Sequence, residues 1–218
     1  MKKLITQLIG SYINLTAPLA PRYNGDLIFK LVCSVNSPPL IPKTKAFFDF
    51  GTTTLLPTTH KDVALHAWGT GEQNLLFLHG WQSNAKQWQA YVEQLDLNKY
   101  TIYALDAPGH GSSLGSHLNL ELYRYAIEQA INHIGEVHCV ICHSLGSLAM
   151  SYAYLYHPKV AVSSYVIMGS PGAMNDILEY SRNILSLSRK GMTVIKYAFL
   201  FSLTSISGSW LTPSSGSS

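Results

Sequence analysis

The chain has 218 residues, 47% hydrophobic and 12% charged, with a formal net charge of +3. That length supports one domain with a sizeable core, the apolar balance excludes a disordered chain, and the lack of a dense Lys/Arg block leaves no electrostatic footprint for nucleic acid. Three cysteines, Cys33, Cys139 and Cys142, do not make a disulfide framework, so a reducing, cytoplasmic setting is the default.

In chain order, Leu4, Ile5, Leu8, Ile9, Tyr12 and Ile13 recur at helical spacing with polar residues between them. This predicts an amphipathic helix and not the uniform apolar run of a signal peptide, and Pro18 and Pro21 spoil any cleavage site near Ala20. The helix is expected to pack on the body. The alternative for residues 4–15 is peripheral contact with a membrane surface, against which the polar face lacks Lys/Arg enrichment. A second striped segment (Leu27, Ile28, Leu31, Val32) and the link Ser37-Pro38-Pro39-Leu40-Ile41-Pro42 complete an N-terminal helical extension and linker over residues 1–60.

From Val63 short β-rich runs alternate with helical patterns. Strands are predicted at Leu75–Leu78, Thr101–Leu105, Val137–Ile141 and Val160–Met168. Helices are predicted at Ala85–Leu95, Leu120–Ile134 and Leu145–His157, the last stopped by Pro158. Continuous apolar strands separated by helices imply an α/β fold, a mostly parallel sheet flanked by helices on both faces. Reactive groups then belong at the carboxyl ends of the strands. Helical patterns resume from Met174 to about Leu187 and from Thr193 onward, before a low-complexity tail from Thr212 to Ser218. Val194 to Ile206 is apolar but too short to span a bilayer, and Lys196 interrupts it.

Three strand ends carry chemistry. The first runs into His79-Gly80-Trp81. The second runs into Asp106-Ala107-Pro108-Gly109-His110-Gly111-Ser112-Ser113. The third runs into Cys142-His143-Ser144-Leu145-Gly146, a small-x-Ser-x-Gly turn before a helix, with Cys142 where glycine is usual. In this order, over roughly Val63 to Gly172, the chain resembles the α/β-hydrolase superfamily of serine esterase type. The resemblance implies residues 61–172 as the hydrolase core and 173–218 as a partial helical cap with a flexible tail. It implies Ser144 as nucleophile on a strained strand-to-helix corner, attacking acyl carbons without metal or organic cofactor. The backbone N–H groups of Trp81 and Leu145 are the implied oxyanion donors, and Leu145 also opens a helix, where N–H groups are unpaired. His79, Gly80, Asp106, Gly109, His110, Gly111 and Gly146 are expected to support the loops. His143, adjacent to Ser144 on the turn, is expected to point away from it, and His138 to be a satisfied sheet histidine. The run His79-Gly80-Trp81-x-x-Asn84-Ala85-x-x-Trp88 looks like that of acyl-ester carboxylesterases, which makes a small-molecule acyl ester the expected partner.

The superfamily's triad follows the chain order Ser, then Asp or Glu, then His. Here the last histidine is His157, and the acids after Ser144 are Asp176 and Glu179, neither at a strand end. The expectation is therefore a hydrolase lacking the last strands of its family, truncated and impaired. The alternative is a non-catalytic remnant or binding module of the same fold. Cys139-Val140-Ile141-Cys142-His143 also fits C-x-x-C-H, the attachment pattern of c-type haem, a remote alternative because residues three apart on a strand face opposite sides.

Overall fold

In a computed structural model the chain is described at residues 2–17, 19, 21–36, 42–156, 162–170, 172, 174–194 and 196. The elements in chain order are α1 (Lys2–Thr16), α2 (Pro21–Val32), α3 (Pro42–Asp49), β1 (Thr52–Leu56), β2 (Val63–Trp68) and β3 (Gln73–Leu78). A 3-10 turn (Ala85–Trp88), α4 (Gln89–Gln94), β4 (Tyr100–Leu105), α5 (Leu120–Ile134), β5 (Val137–His143), α6 (Leu145–Tyr156), β6 (Val162–Met168) and α7 (Met174–Leu185) follow. They form two compact units, Val35–Ser170 and Met1–Ser34 with Pro171–Ser218.

The larger unit is an α/β fold around a six-stranded sheet in the order β1-β2-β4-β3-β5-β6. β4, β3, β5 and β6 run parallel, whereas β1 and β2 are antiparallel to their neighbours. The alternation along β3 accounts for two cores. Leu76 and Leu78 pack with Leu105, Val140, Cys142, Ile127, Ile131 and Met150 on the α5 and α6 side. Leu75 and Phe77 pack with Phe47, Trp68, Ala85, Trp88 and Val92 on the other. A strand buried on both faces needs an unbroken apolar run, which is what β3 and β4 supply. Asn119 starts α5 by accepting the Leu122 N–H at 2.8 Å, and Gly135 closes it at φ +85°.

Residues 52–56 correct the expected linker: they form β1, at the sheet edge. Only Leu56 of β1 is buried, and three threonines face solvent, so no apolar pattern marked the strand. The smaller unit gathers α1, α2 and α7 around Ile13, Ile28, Leu178 and Leu185. Within it Asn14 donates to the Ser186 carbonyl and accepts the Ser188 N–H, at 3.1 and 2.8 Å. Leu8 and Tyr12 of the predicted stripe are exposed. No described helix is long and apolar enough to cross a membrane. The Ser37–Ile41 part of the link, His157, Pro158, most of the stretch after Thr193 and the tail lie outside the described residues.

Candidate active site

Ser144 is the one residue between β5 and α6, with φ at +51°. A non-glycine side chain rarely adopts that left-handed conformation, and it persists where neighbours over-determine it. The Ser144 N–H donates to the Met168 carbonyl of β6 at 2.9 Å, and the Ser144 carbonyl accepts the Ser147 N–H at 3.0 Å. The two glycines of the motif are set by space. A Cβ at Gly146 would lie 2.7 Å from the carbonyl oxygens of Leu78 and His79, so α6 leaves the corner in backbone contact with the end of β3. A Cβ at Gly80 would lie 3.0 Å from the Ser144 Cβ. The His79-Gly80 turn and the serine corner are therefore in direct apposition. Among the described residues nothing hydrogen-bonds to the Ser144 hydroxyl, and neither the Trp81 nor the Leu145 N–H has an acceptor.

His79 sets the direction of the Trp81 N–H. Its Nε2 accepts the Ala107 N–H at 2.9 Å, so the proton sits on Nδ1, which donates to the Gly80 carbonyl at 2.7 Å. The Gly80 C=O and the Trp81 N–H belong to one peptide plane, and no cis peptide occurs among the described residues. In a trans plane the two point in opposite directions, so a carbonyl held toward His79 turns the N–H away from it. Complete burial drives the His79 pKa down to about 4, with the Asp106 charge opposing, which keeps the ring neutral. The His79 carbonyl accepts the buried Tyr123 hydroxyl at 2.9 Å.

Asp106, fully buried at the end of β4, is the hub of the loops. Its carboxylate accepts the Ala85 N–H at 2.7 Å, the Ser112 N–H at 2.7 Å and His66 Nε2–H at 3.0 Å. Burial by itself would raise its pKa, but the hydrogen bond and charge from His66 outweigh that and hold it below the ordinary 3.8. Thr53 Oγ1 lies 2.8 Å from His66 Nδ1 and completes the chain to β1. Ser113 Oγ donates to the Asp106 carbonyl at 2.6 Å and accepts the Ala64 N–H at 2.8 Å. Gly109 and Gly111 take φ of +74° and +53°, and a Cβ at Gly111 would lie within 2.5 Å of the Asp106 carboxylate. His110 Nδ1 donates to the Pro108 carbonyl at 3.0 Å, and its Nε2 accepts the Gln82 N–H at 3.1 Å.

Ser144, Gly80, Gly146, Asp106 and the two loop histidines are thus brought to one end of the sheet. Other expectations need correction. His143 Nδ1 would lie 3.2 Å from a Cβ at Gly80, and that nitrogen is buried without a partner among the described residues. His138 is exposed on β5 and not a satisfied sheet histidine. Asp176 and Glu179 lie on α7, in the other compact unit, where Glu179 pairs with Arg182 at 3.1 Å. The haem alternative fails on geometry: Cys142 is in the core on the α5 and α6 side, while Cys139 packs against the opposite core. Burial also pushes the Cys142 thiol up to about 12. Among the described residues no group of three or more His, Cys, Asp and Glu could hold a metal ion. His66 and Tyr123 were missed from sequence; a histidine inside the apolar run Val63–Trp68 was the available signal for the first.

The family model described as "Alpha/beta hydrolase family" matches residues 75–213. A pimeloyl-[acyl-carrier protein] methyl ester esterase of Edwardsiella ictaluri is 31% identical over 132 residues, 55% of this chain and 49% of that protein. The enzyme of the same name from Vibrio vulnificus is 30% identical over 106 residues, 48% of this chain and 40% of that protein. The chain thus spans about half the length of the curated relatives it matches. Among solved structures, an epoxide hydrolase of Vigna radiata aligns at a TM-score of 0.49 and 20% identity, covering 55% of this chain and 38% of that one.

Proposed function

Because the chain belongs to the alpha/beta hydrolase family, we propose that it carries the nucleophile and oxyanion donors of a serine hydrolase acting on carboxylic esters. The observation that carries this reading is the left-handed Ser144 at the β5–α6 corner with Gly80 against its Cβ. Ser144 Oγ attacks the ester carbonyl carbon. The negative charge passes to the carbonyl oxygen, which the N–H groups of Trp81 and Leu145 receive. Collapse of the tetrahedral species breaks the ester C–O bond, the departing alkoxide takes up the proton that the Ser144 hydroxyl gave up and leaves as the alcohol, and water hydrolyses the acyl-Ser144. The names of the curated relatives support an ester of an acyl group as the substrate class. In this reading residues 61–172 are the catalytic core and 173–218 a partial cap, and the protein works in the cytoplasm on a small acyl ester.

The step that these residues do not supply is removal of the Ser144 proton. His79 and His110 each use both ring nitrogens on backbone groups. That favours a second reading, a member of the family that keeps the fold and has no turnover. An alkyl fluorophosphonate distinguishes the two. Labelling that maps to Ser144 by peptide mass spectrometry and vanishes in Ser144→Ala is expected for the hydrolase. A wild-type chain that stays unlabelled supports the second reading.

A further inference from the structure

We propose that His110 is a positioning residue for the oxyanion pocket: its Nε2 fixes the peptide plane that follows Trp81, through the Gln82 N–H. This rests on the serine-hydrolase reading of Ser144 and Trp81.

Two successive planes flank Trp81, and a different histidine holds each. The plane before Trp81 is held by His79 through the Gly80 carbonyl at 2.7 Å. The plane after it is held by His110 through the Gln82 N–H at 3.1 Å. Gln82 itself sits at φ +51°, a conformation a glutamine keeps only when its neighbours impose it. The Trp81 ring meets the His110 ring edge-on, with centroids 5.5 Å apart. Trp81 therefore has little freedom on either side, and its N–H, which has no acceptor among the described residues, follows directly on Gly80, where a Cβ would lie 3.0 Å from the Ser144 Cβ.

The His110 bond exists in only one protonation and tautomer state. Nδ1 carries a proton because it donates to the Pro108 carbonyl at 3.0 Å, and Nε2 must then be bare to accept from Gln82. A second proton would sit on Nε2 and oppose the Gln82 N–H. The groups that face the ring are the buried Asp106 charge, the neutral His79 ring at 5.3 Å and Trp81. Burial lowers the His110 pKa from 6.5 more than the Pro108 bond and Asp106 raise it, so the bond is intact at neutral pH and breaks below pH 6.5.

The test uses the 15N-labelled chain and an alkyl fluorophosphonate. In the wild type the Gln82 amide resonance should shift on acidification below pH 6.5, together with the His110 ring resonances. His110→Phe should remove that shift and speed Gln82 amide exchange. It should also slow labelling of Ser144 by about 10–100-fold, somewhat less than loss of a whole oxyanion donor. His110→Gln, which restores an acceptor, should recover most of the rate. A Gln82 amide that ignores His110 titration overturns the proposal without any variant, so a misfolded His110→Phe does not protect it. Labelling within twofold of wild type in a folded His110→Phe, with Gln82 exchange accelerated, overturns the positioning role. A wild-type chain that is never labelled overturns the hydrolase reading and the oxyanion role with it, while the Gln82 titration still decides whether the His110 bond exists.

Discussion

A methyl group at Gly146 would sit 2.7 Å from two backbone oxygens, those of Leu78 and His79, and neither can yield without displacing the end of β3. Gly146→Ala should therefore destabilise the fold by about 1–3 kcal/mol, the usual cost of overpacking. A lower urea midpoint with an unchanged slope is the expected reading. His79 gives the fold a pH dependence. Its pKa falls from 6.5 unfolded to about 4 folded, so between those values the unfolded chain binds the extra proton. Stability is then full above pH 6.5 and declines as pH falls toward 4, by on the order of 3 kcal/mol in total. Asp106 acts in the same direction lower down: its depressed folded pKa means stability is lost as pH falls below its unfolded value of 3.8. Urea midpoints at a series of pH values check this, and a flat profile from 6.5 to 4 would contradict the buried neutral His79. The turn glycines, Asp106 and Ser144 were legible in the sequence because tight turns restrict which residues can occupy them. The partner of Asp106 was not: His66 lies 40 residues away and meets it through sheet pairing alone, which leaves no local pattern.

At the scale of elements, β3, β5, α5 and α6 could be read because burial leaves apolar runs and helical stripes. β1 could not, since an edge strand facing solvent has no such pattern. β6 shows the opposite mismatch. Its sequence is that of a buried parallel strand, yet Tyr165, Val166 and Ile167 are 38%, 45% and 57% exposed, and β5 is its sole partner among the described strands. Such an edge offers unpaired backbone groups and apolar side chains together. Concentration-dependent self-association is expected of the 218-residue chain, and Ile167→Lys should weaken it without shifting the urea midpoint by more than about 0.5 kcal/mol, as for other surface changes. Sedimentation velocity over a range of concentrations decides this. Association that persists unchanged in Ile167→Lys would place the contact elsewhere.

For the whole molecule, the proposed ester-hydrolase reading draws on two of the three parts that acyl transfer needs. In the proposed reading these are the Ser144 corner and the Trp81 and Leu145 N–H groups, at the ends of β3 and β5, where a Cβ at Gly80 would lie 3.0 Å from the Ser144 Cβ. The third part, a base within about 2.6–3.2 Å of the serine hydroxyl, is missing among the described residues. His79 and His110 accept backbone N–H groups with the nitrogen a base would use, and His143, though beside the corner, makes no bond to Ser144. General-base assistance contributes on the order of 10²–10⁴ in rate. The purified 218-residue chain should accordingly hydrolyse p-nitrophenyl acetate slowly, within about tenfold of Ser144→Ala, since oxyanion stabilisation and binding alone give only weak residual catalysis. Fast turnover that Ser144→Ala abolishes would require a base. If His110→Ala also abolished it, the Gln82 bond would have to open during the reaction. If His143→Ala did so instead, the unpartnered Nδ1 beside Gly80 would be the acceptor, and the corner would hold both nucleophile and base on adjacent residues.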